Sequence, residues 1–260
     1  MTRRLENKVA LVTGGSRGIG RAICRTFARE GAAVIVNYAS NADKAREVVD
    51  SILETGGRAV AIQTEVASRT AVASMVDAAV KQFGKIDVLV NNAGILRTGS
   101  VLTLNEEDLD RMLAVNVKGI IHCVQAVAPG MIERRYGKIV NLSSIAGLGT
   151  AAADTTPYAL TKAAVVSLTK RLALELGPHR INVNAIAPGF VRTEMLDFLD
   201  NETDLARLET MSRKAMLNRI GDPQDVAGAA LFLACDESSF MTAQVLTIDG
   251  GRTDFLTHSS

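Results

Sequence analysis

The sequence predicts one α/β domain built on a doubly wound, mainly parallel seven-stranded sheet with helices on both faces, and three observations carry that expectation. Short apolar, β-branched runs alternate with longer stretches of helical period along the chain. The runs are continuous in Val, Ile and Leu without polar alternation, the pattern of strands buried on both faces. A glycine-rich turn follows the first run directly, where a nucleotide site belongs in such a sheet. Together these features describe a Rossmann fold.

The seven strand runs are Val9–Val12, Ala33–Val36, Ala59–Gln63, Val88–Val90, Lys138–Leu142, Asn182–Ile186 and Gln244–Ile248. Helices are expected near 18–30, 41–55, 69–83, 106–133, 157–176 and 223–235. Asn105 precedes Glu106, Glu107 and Asp108, a capping side chain followed by acids that favour a helix N-terminus. Gly31, Gly56 and Gly84 follow helix ends, where glycine closes the last turn. With no internal repeat, low-complexity tract or Pro/Gly/Ser linker, residues 1–260 read as a single nucleotide-binding and catalytic domain. One stretch, about 191–220, breaks the rhythm: it is polar, contains Met, and precedes a new helix start at Gly221-Asp222-Pro223. A lid over a substrate is the expectation there.

At 260 residues and 47% hydrophobic, the chain can bury a sizeable core. Its 29 Lys and Arg against 28 Asp and Glu leave a formal charge of +1, so no electrostatic footprint for nucleic acid or an anionic membrane is visible. A small-molecule substrate is expected instead. Cys24, Cys123 and Cys235 are far apart and in apolar or helical surroundings, which reads as packing in a reduced compartment. No His partner stands at ligand spacing, so no metal is expected. The N-terminal apolar run Val9–Val12 is too short for a signal-peptide core or a membrane span, and a soluble cytoplasmic protein is expected.

Val9–Val12 leads into Thr13-Gly14-Gly15-Ser16-Arg17-Gly18-Ile19-Gly20 and then into a helix. Glycines there let backbone N–H groups and the helix N-terminus approach a pyrophosphate. Gly14, Ser16, Arg17, Gly18, Ile19 and Gly20 are therefore candidate cofactor residues. The second strand ends Val36-Asn37-Tyr38-Ala39-Ser40 with no acid at its tip. A carboxylate there would bind the ribose hydroxyls of NAD and repel a 2′-phosphate. Arg17 offers a guanidinium for that phosphate instead, with Asn37, Tyr38 and Ser40 around it, so NADP(H) is the expected cofactor.

The run Lys138–Leu142 ends in Ser143-Ser144 and is followed, after a loop of small residues, by Tyr158-Ala159-Leu160-Thr161-Lys162. Tyr158 and Lys162, at i and i+4, share a helix face. A phenol with an ordinary pKa of about 10 is a poor acid–base group near neutrality, and a cation held nearby is expected to lower that value. Tyr158 would then protonate a developing alkoxide in carbonyl reduction, or deprotonate an alcohol in the reverse direction, while Ser144 hydrogen-bonds the same oxygen.

With these residues in place the chain resembles the short-chain dehydrogenase/reductase family, in its single-domain branch, from about Leu5 to Gly251. The turn Thr13-Gly14-x-x-x-Gly18-Ile19-Gly20 matches the family's coenzyme turn, and Asn91-Asn92-Ala93-Gly94 matches the motif closing the fourth strand beside the adenosine ribose. Asn116, Ser144, Tyr158 and Lys162 match the catalytic tetrad, in which the Asn supports a water-linked proton relay and the Lys also binds the nicotinamide ribose. Pro188-Gly189 with Val191-x-Thr193 matches the segment that holds the nicotinamide carboxamide. The resemblance implies Ser144 rather than Ser143, because the family's serine directly precedes residues like Ile145-Ala146-Gly147. One departure stands out: Glu65-Val66 occupies the place of an Asp-Val pair against the adenine, and the resemblance implies a retained site with adjusted geometry. Arg17 before Gly18 resembles the NADP(H)-using members.

Other residues take plainer readings. His122 is expected to pack on a helix surface, and Glu133-Arg134-Arg135-Tyr136-Gly137-Lys138 to be a solvated helix end where cations favour the dipole. The resemblance adds that Arg135 occupies the place of a cation that docks an acidic acyl carrier protein in the 3-oxoacyl-[acyl-carrier-protein] reductases, with Arg180 displaced by one position from a second. Asp154 and Thr155 are expected near the substrate mouth. The leading expectation is NADP(H)-dependent reduction of a 3-oxoacyl thioester. The alternatives are a small ketone, sugar or steroid-like alcohol as substrate, or a scaffold without turnover, which the intact tetrad opposes. The helices at 106–133 and 157–176 match those that pair in tetrameric relatives, so a homotetramer is expected.

Overall fold

The computed structural model describes residues 3–150, 152–193 and 209–254. Among them, seven parallel strands form one sheet in the order β3-β2-β1-β4-β5-β6-β7. The strands are β1 (Val9–Val12), β2 (Ala33–Tyr38), β3 (Arg58–Gln63), β4 (Val88–Asn91), β5 (Gly137–Leu142), β6 (Ile181–Pro188) and β7 (Val245–Ile248). The predicted fold class and all seven strand positions hold. β2 and β6 each run two residues beyond the apolar stretch, to Tyr38 and Pro188, and the first of these extensions matters for the site. The order reverses between β1 and β4, which opens a crevice outside their carboxyl ends.

Strand residues alternate between two cores. Ala10 and Val12 join Ile23 and Phe27 of α1 (Gly18–Arg29), Val48 of α2 (Ala42–Leu53) and the last helix on one face. Val9 and Leu11 join Val76 of α3 (Arg69–Phe83) and the central helices on the other. Phe27 is fully buried, and such a side chain contributes about 1.5–3 kcal/mol by leaving water. The predicted helix ends are built as expected: Asn105 Oδ1 accepts from Asp108 N–H at 3.1 Å, and Gly84 closes α3 in the left-handed conformation at φ 81°.

The helix expected at 106–133 is instead three pieces. α4 (Glu106–Leu113) passes into a π-helical turn at Ala114–Lys118 and then into α5 (Glycine 119 to Arg134, that is Gly119–Arg134). The wider turn inserts one residue into the helical register, a deviation concentrated at functional sites. By length and composition Glu106–Arg134 resembles a membrane span, yet its apolar residues Ile120, Cys123, Val124, Val127 and Met131 pack into the second core. The remaining helices are α6 (Thr156–Leu176) and α7 (Pro223–Ala234), the latter opened by a capping box between Asp222 and Asp225. Cys24, Cys123 and Cys235 are free and buried. Of the expected lid at 191–220, residues 194–208 lie outside the described residues.

Candidate active site

The glycine turn at the β1 exit is held by side chains directed at its backbone. Thr13 Oγ1 accepts from Asn92 N–H at 2.9 Å and from Ala93 N–H at 3.0 Å, joining the β1 and β4 exits. Asn92 Nδ2 donates to the carbonyls of Thr13 at 2.9 Å and Gly14 at 3.0 Å. A Cβ on Gly20 would run into the Gly14 carbonyl oxygen, so glycine is required where α1 meets the turn. Gly14 and Gly18 adopt φ of 62° and 50°, a region that other residues enter at a cost. Ser16 is buried, Ile19 is partly so, and Arg17 is exposed at the start of α1 with no side-chain cap. The turn therefore presents backbone and a guanidinium at a helix N-terminus, which fits the pyrophosphate of a nicotinamide dinucleotide.

Asn37 is a correction. Its side chain does not face a phosphate: Oδ1 accepts from Gly14 N–H at 3.2 Å, and Nδ2 donates to Thr64 O at 3.0 Å. Because β2 continues to Tyr38, residue 37 lies within the sheet, 1% exposed. It braces the glycine turn from behind. Tyr38 is partly exposed and Ser40 exposed, so both remain available at the acid-free tip.

Glu65 is also engaged otherwise than expected, its Oε2 lying 2.8 Å from Arg111 Nη2 on α4. Val66 beside it is buried, receives Gly119 in close contact and has its carbonyl 3.0 Å from His122 Nδ1. His122 thus anchors the edge next to Val66 as well as packing. Arg111 is a residue that local sequence patterns did not single out.

The side chains expected to be catalytic come together at the carboxyl ends of β4 and β5. Asn116 lies in the π-helical turn, 1% exposed, and reaches both backbone atoms of Ile95: Oδ1 accepts from its N–H and Nδ2 donates to its carbonyl, each at 2.9 Å. Asn116 Nδ2 also donates to Thr161 Oγ1 at 3.0 Å, tying the loop after β4 to α6. Gly94 faces the same space, since a Cβ there would stand 3.4 Å from Asn116 Oδ1 and 3.5 Å from Lys162 Nζ. A methyl group there would touch both at ordinary van der Waals distance and take up part of the space between them.

The two serines differ in their contacts. Ser143 Oγ donates to the Lys162 carbonyl at 2.8 Å and is buried, a structural role. Ser144 is partly exposed, its Oγ accepts from Ala146 N–H at 3.2 Å, and it lies near enough to Tyr158 to favour the phenolate. Gly147 allows this, because a Cβ there would lie 2.5 Å from the Lys162 carbonyl carbon, so the loop carrying Ser144 can rest on the α6 backbone. Gly147 and Thr161 are thus supports whose importance only the structure reveals.

Lys162 Nζ lies 5.6 Å from the Tyr158 ring centroid and donates to the Leu142 carbonyl at 2.8 Å. The expected lowering of the Tyr158 pKa does not follow from this geometry. Burial pushes the phenol up to about 12, and Ser144 nearby only partly opposes it. Burial also pushes the Lys162 ammonium down to about 8. Desolvation outweighs a cation at this distance.

Further along the same edge, Gly189 N–H donates to Ile248 O at 2.9 Å, and a Cβ on Gly189 would stand 2.8 Å from Asp249 Cα. Pro188 ends β6, Val191 is buried and bridged to Gly221, and Thr193 is partly exposed. At the mouth, Gly99 N–H donates to the Asp154 carbonyl at 2.8 Å and Gly99 is bridged to Thr155, so both expected mouth residues lie beside α6. Arg135 and Arg180 lie elsewhere. They precede the amino ends of β5 and β6, the sheet edge opposite Tyr158, with Arg135 Nη2 donating to Pro178 O at 3.3 Å.

The chain is similar to known proteins over almost its whole length. A family profile described as enoyl-(acyl carrier protein) reductase matches residues 14–253. The chain is 42% identical to the 3-oxoacyl-[acyl-carrier-protein] reductase of Staphylococcus epidermidis over 94% of its own length and 98% of the relative's. It is also 42% identical to the (2S)-[(R)-hydroxy(phenyl)methyl]succinyl-CoA dehydrogenase subunit BbsD of Thauera aromatica, over 96% and 98% respectively. Among solved structures, a short-chain dehydrogenase/reductase from Serratia marcescens superposes with a TM-score of 0.88 at 39% identity, covering 95% of this chain and 98% of that one. With the nucleotide turn, Ser144, Tyr158 and Lys162 assembled on one sheet edge, the chain belongs to the short-chain dehydrogenase/reductase family of oxidoreductases.

Proposed function

We propose that this protein is an NADP(H)-dependent reductase of 3-oxoacyl thioesters, Tyr158 supplying the proton and Ser144 holding the carbonyl oxygen. The observation that carries the reading is the gathering of Ser144, Tyr158 and buried Lys162 at one sheet edge, Lys162 Nζ lying 5.6 Å from the Tyr158 ring centroid and bonded to the Leu142 carbonyl at the β5 end. A bound nicotinamide nucleotide supplies the hydride. Raised to about 12, Tyr158 keeps its proton at neutral pH and is poised as the acid for reduction. Lys162, near 8, is mostly charged at neutral pH and favours the phenolate left after the transfer. Asn116 holds the loop after β4 against α6, so that the space between Gly94 and Lys162 stays open for the ribose.

NADP(H) is favoured over NAD(H) because exposed Arg17 stands at the turn while Tyr38, Ala39 and Ser40 place no carboxylate at the β2 tip. The thioester assignment is supported by relatives whose names specify acyl groups carried on a carrier protein or on CoA. A homotetramer is part of the proposal, supported by Leu160 and Leu174, 51% and 64% exposed on α6. In such an assembly Arg135 and Arg180, remote from their own Tyr158, would serve a carrier delivering to another protomer. The test follows NADPH and NADH oxidation with acetoacetyl-CoA, cyclohexanone and crotonyl-CoA. NADPH-dependent turnover of acetoacetyl-CoA is expected to exceed the rest. Faster turnover of cyclohexanone would move the substrate to simple ketones, and turnover of crotonyl-CoA alone would make this an enoyl reductase.

A further inference from the structure

Beyond the β6 and β7 exits, three stretches of chain meet on one buried guanidinium. The Arg252 side chain is 3% exposed. Its Nε and Nη2 donate to the two carboxylate oxygens of Asp254 at 2.8 and 2.6 Å, and its Nη1 donates to the Met211 carbonyl at 3.1 Å. The guanidinium lies 4.6 Å from the ring centroid of Phe190, the residue after Pro188-Gly189. Lys214 Nζ stands 3.3 Å from the same Asp254 carboxylate. Burial opposes the charge on Asp254, but Arg252 and Lys214 hold its pKa below the ordinary carboxylate value.

A backbone ladder surrounds this cluster. Met216 and Leu217 N–H donate to the carbonyls of Gly251 and Gly250 at 3.0 Å, and Thr253 N–H donates to Lys214 O at 3.1 Å. Ala215 and Arg252 form an antiparallel bridge. Gly250 and Gly251, at φ 71° and 77°, allow the stem to lie this close, since a Cβ on Gly251 would stand 3.2 Å from that of Met216. The result is a short stem whose Met216 and Leu217 side chains are 72% and 64% exposed at the catalytic edge of the sheet. A buried cation is costly unless fully paired, and here pairing fixes the stem relative to Phe190.

We infer that Arg252, acting through Asp254 and Phe190, is a positioning residue that sets the 211–217 stem and so places Met216 and Leu217 as the apolar wall against the acyl side of the substrate. The assignment of the acyl side rests on the function proposed above; the positioning role does not. Arg252 takes no part in proton or hydride transfer. It fixes where the substrate's carbon chain lies relative to Tyr158, and a small displacement there degrades reactive geometry strongly.

The test combines amide hydrogen exchange with kinetics on Arg252→Met, Arg252→Lys and Asp254→Asn. In Arg252→Met the Met216, Leu217 and Thr253 amides should lose protection by about tenfold while the β1 amides keep theirs. The KM for acetoacetyl-CoA should rise about tenfold, with the NADPH Kd within about twofold of wild type. Arg252→Lys, which keeps the charge but not the fork, should recover only part of both effects. Unchanged protection at Met216 and Leu217 overturns the proposal, as does a parallel loss of NADPH binding, which would mark Arg252 as a residue of the general fold. Should Arg252→Met fail to fold, Asp254→Asn gives the same readouts, and unchanged protection there is equally decisive against it. Wild-type protein that does not reduce acetoacetyl-CoA refutes the substrate reading, whereas the exchange result judges Arg252 alone.

Discussion

At the β1 exit, Asn37 and Asn92 point inward and bond backbone atoms of the glycine turn while Thr13 bonds the backbone at the β4 exit, whereas beyond the β6 and β7 exits the chain leaves Met216 and Leu217 standing outward on a stem tied by charged side chains. The first arrangement makes a surface of main chain whose shape hardly depends on what the surrounding side chains are. The second makes a surface of side chains whose placement depends on one ion-pair cluster. Substitutions on the nucleotide side should therefore change cofactor affinity in discrete steps tied to single contacts, and those on the substrate side should shift geometry and specificity together.

The largest effect should come from the group that serves both halves. Tyr158→Phe removes the proton donor yet leaves the glycine turn intact, so kcat should fall roughly 10²–10⁴-fold. NADPH titration followed by its fluorescence should give an unchanged Kd, and a retained turnover would remove Tyr158 from the chemistry. Next in size is Arg17→Ala. If the guanidinium meets a 2′-phosphate, NADPH binding should weaken roughly ten- to a hundredfold, the strength of hydrogen bonds to a charged partner, while NADH binding stays the same. Equal losses for the two nucleotides would show that Arg17 contacts the pyrophosphate instead.

The pH profile probes the boundary between the halves. A lysine whose pKa is lowered carries its charge below that value and loses it as pH rises, so Lys162 should be charged at neutral pH and neutral well above about 8. For reduction, kcat/KM should hold near neutrality and decline above about pH 8, by about tenfold per unit of pH once the charge is largely gone. Tyr158, at about 12, stays protonated across that window and should not contribute to the limb. Stopped buffers of constant ionic strength and initial rates with subsaturating acetoacetyl-CoA suffice to see it; a flat alkaline limb would show that bound substrate and nucleotide restore the ammonium.

Much of the nucleotide half was legible before any coordinates, because its signals are local. Gly14, Gly18 and Gly20 follow an apolar run at fixed spacing, and their backbone geometry is what the site uses. The gathering of Ser144, Tyr158 and Lys162 at one edge was legible from the hydroxyl-tipped run and the i, i+4 pair, whereas the expectation for Asn116 and the preference for Ser144 over Ser143 came with the family resemblance. Asn37 was misread because an apolar run marks where a strand is hydrophobic, not where its hydrogen bonds stop; β2 continues to Tyr38 and takes Asn37 indoors. The π-helical turn was hidden because one extra residue barely disturbs an apolar stripe read over Glu106–Arg134. The Tyr158 pKa was misjudged because i and i+4 spacing says that two groups are near, not how dry they are. Arg252 and Asp254 stand two residues apart, and nothing in that spacing says that the guanidinium is buried under Phe190.

The smallest expected effect sharpens the contrast most. Arg111 and Glu65 are an ion pair like Arg252 and Asp254, but 46 residues apart in sequence and on the nucleotide side, with side chains 52% and 42% exposed. An exposed pair contributes only about 0.2–1 kcal/mol. Arg111→Ala should thus raise the NADPH Kd by no more than about fivefold, and Glu65→Gln by a similar amount, with the double variant no worse than either alone. In the buried cluster, by contrast, losing Asp254 would leave the Arg252 guanidinium stranded. If Arg111→Ala instead weakened NADPH by a hundredfold or more, well beyond what about 1 kcal/mol allows, the adenine wall would depend on its side-chain pair as heavily as the substrate wall does on its own. The division between a main-chain half and a side-chain half would then apply to the phosphates only, and Glu65 would have to be reassigned from a tethered wall residue to a direct ligand of the adenine.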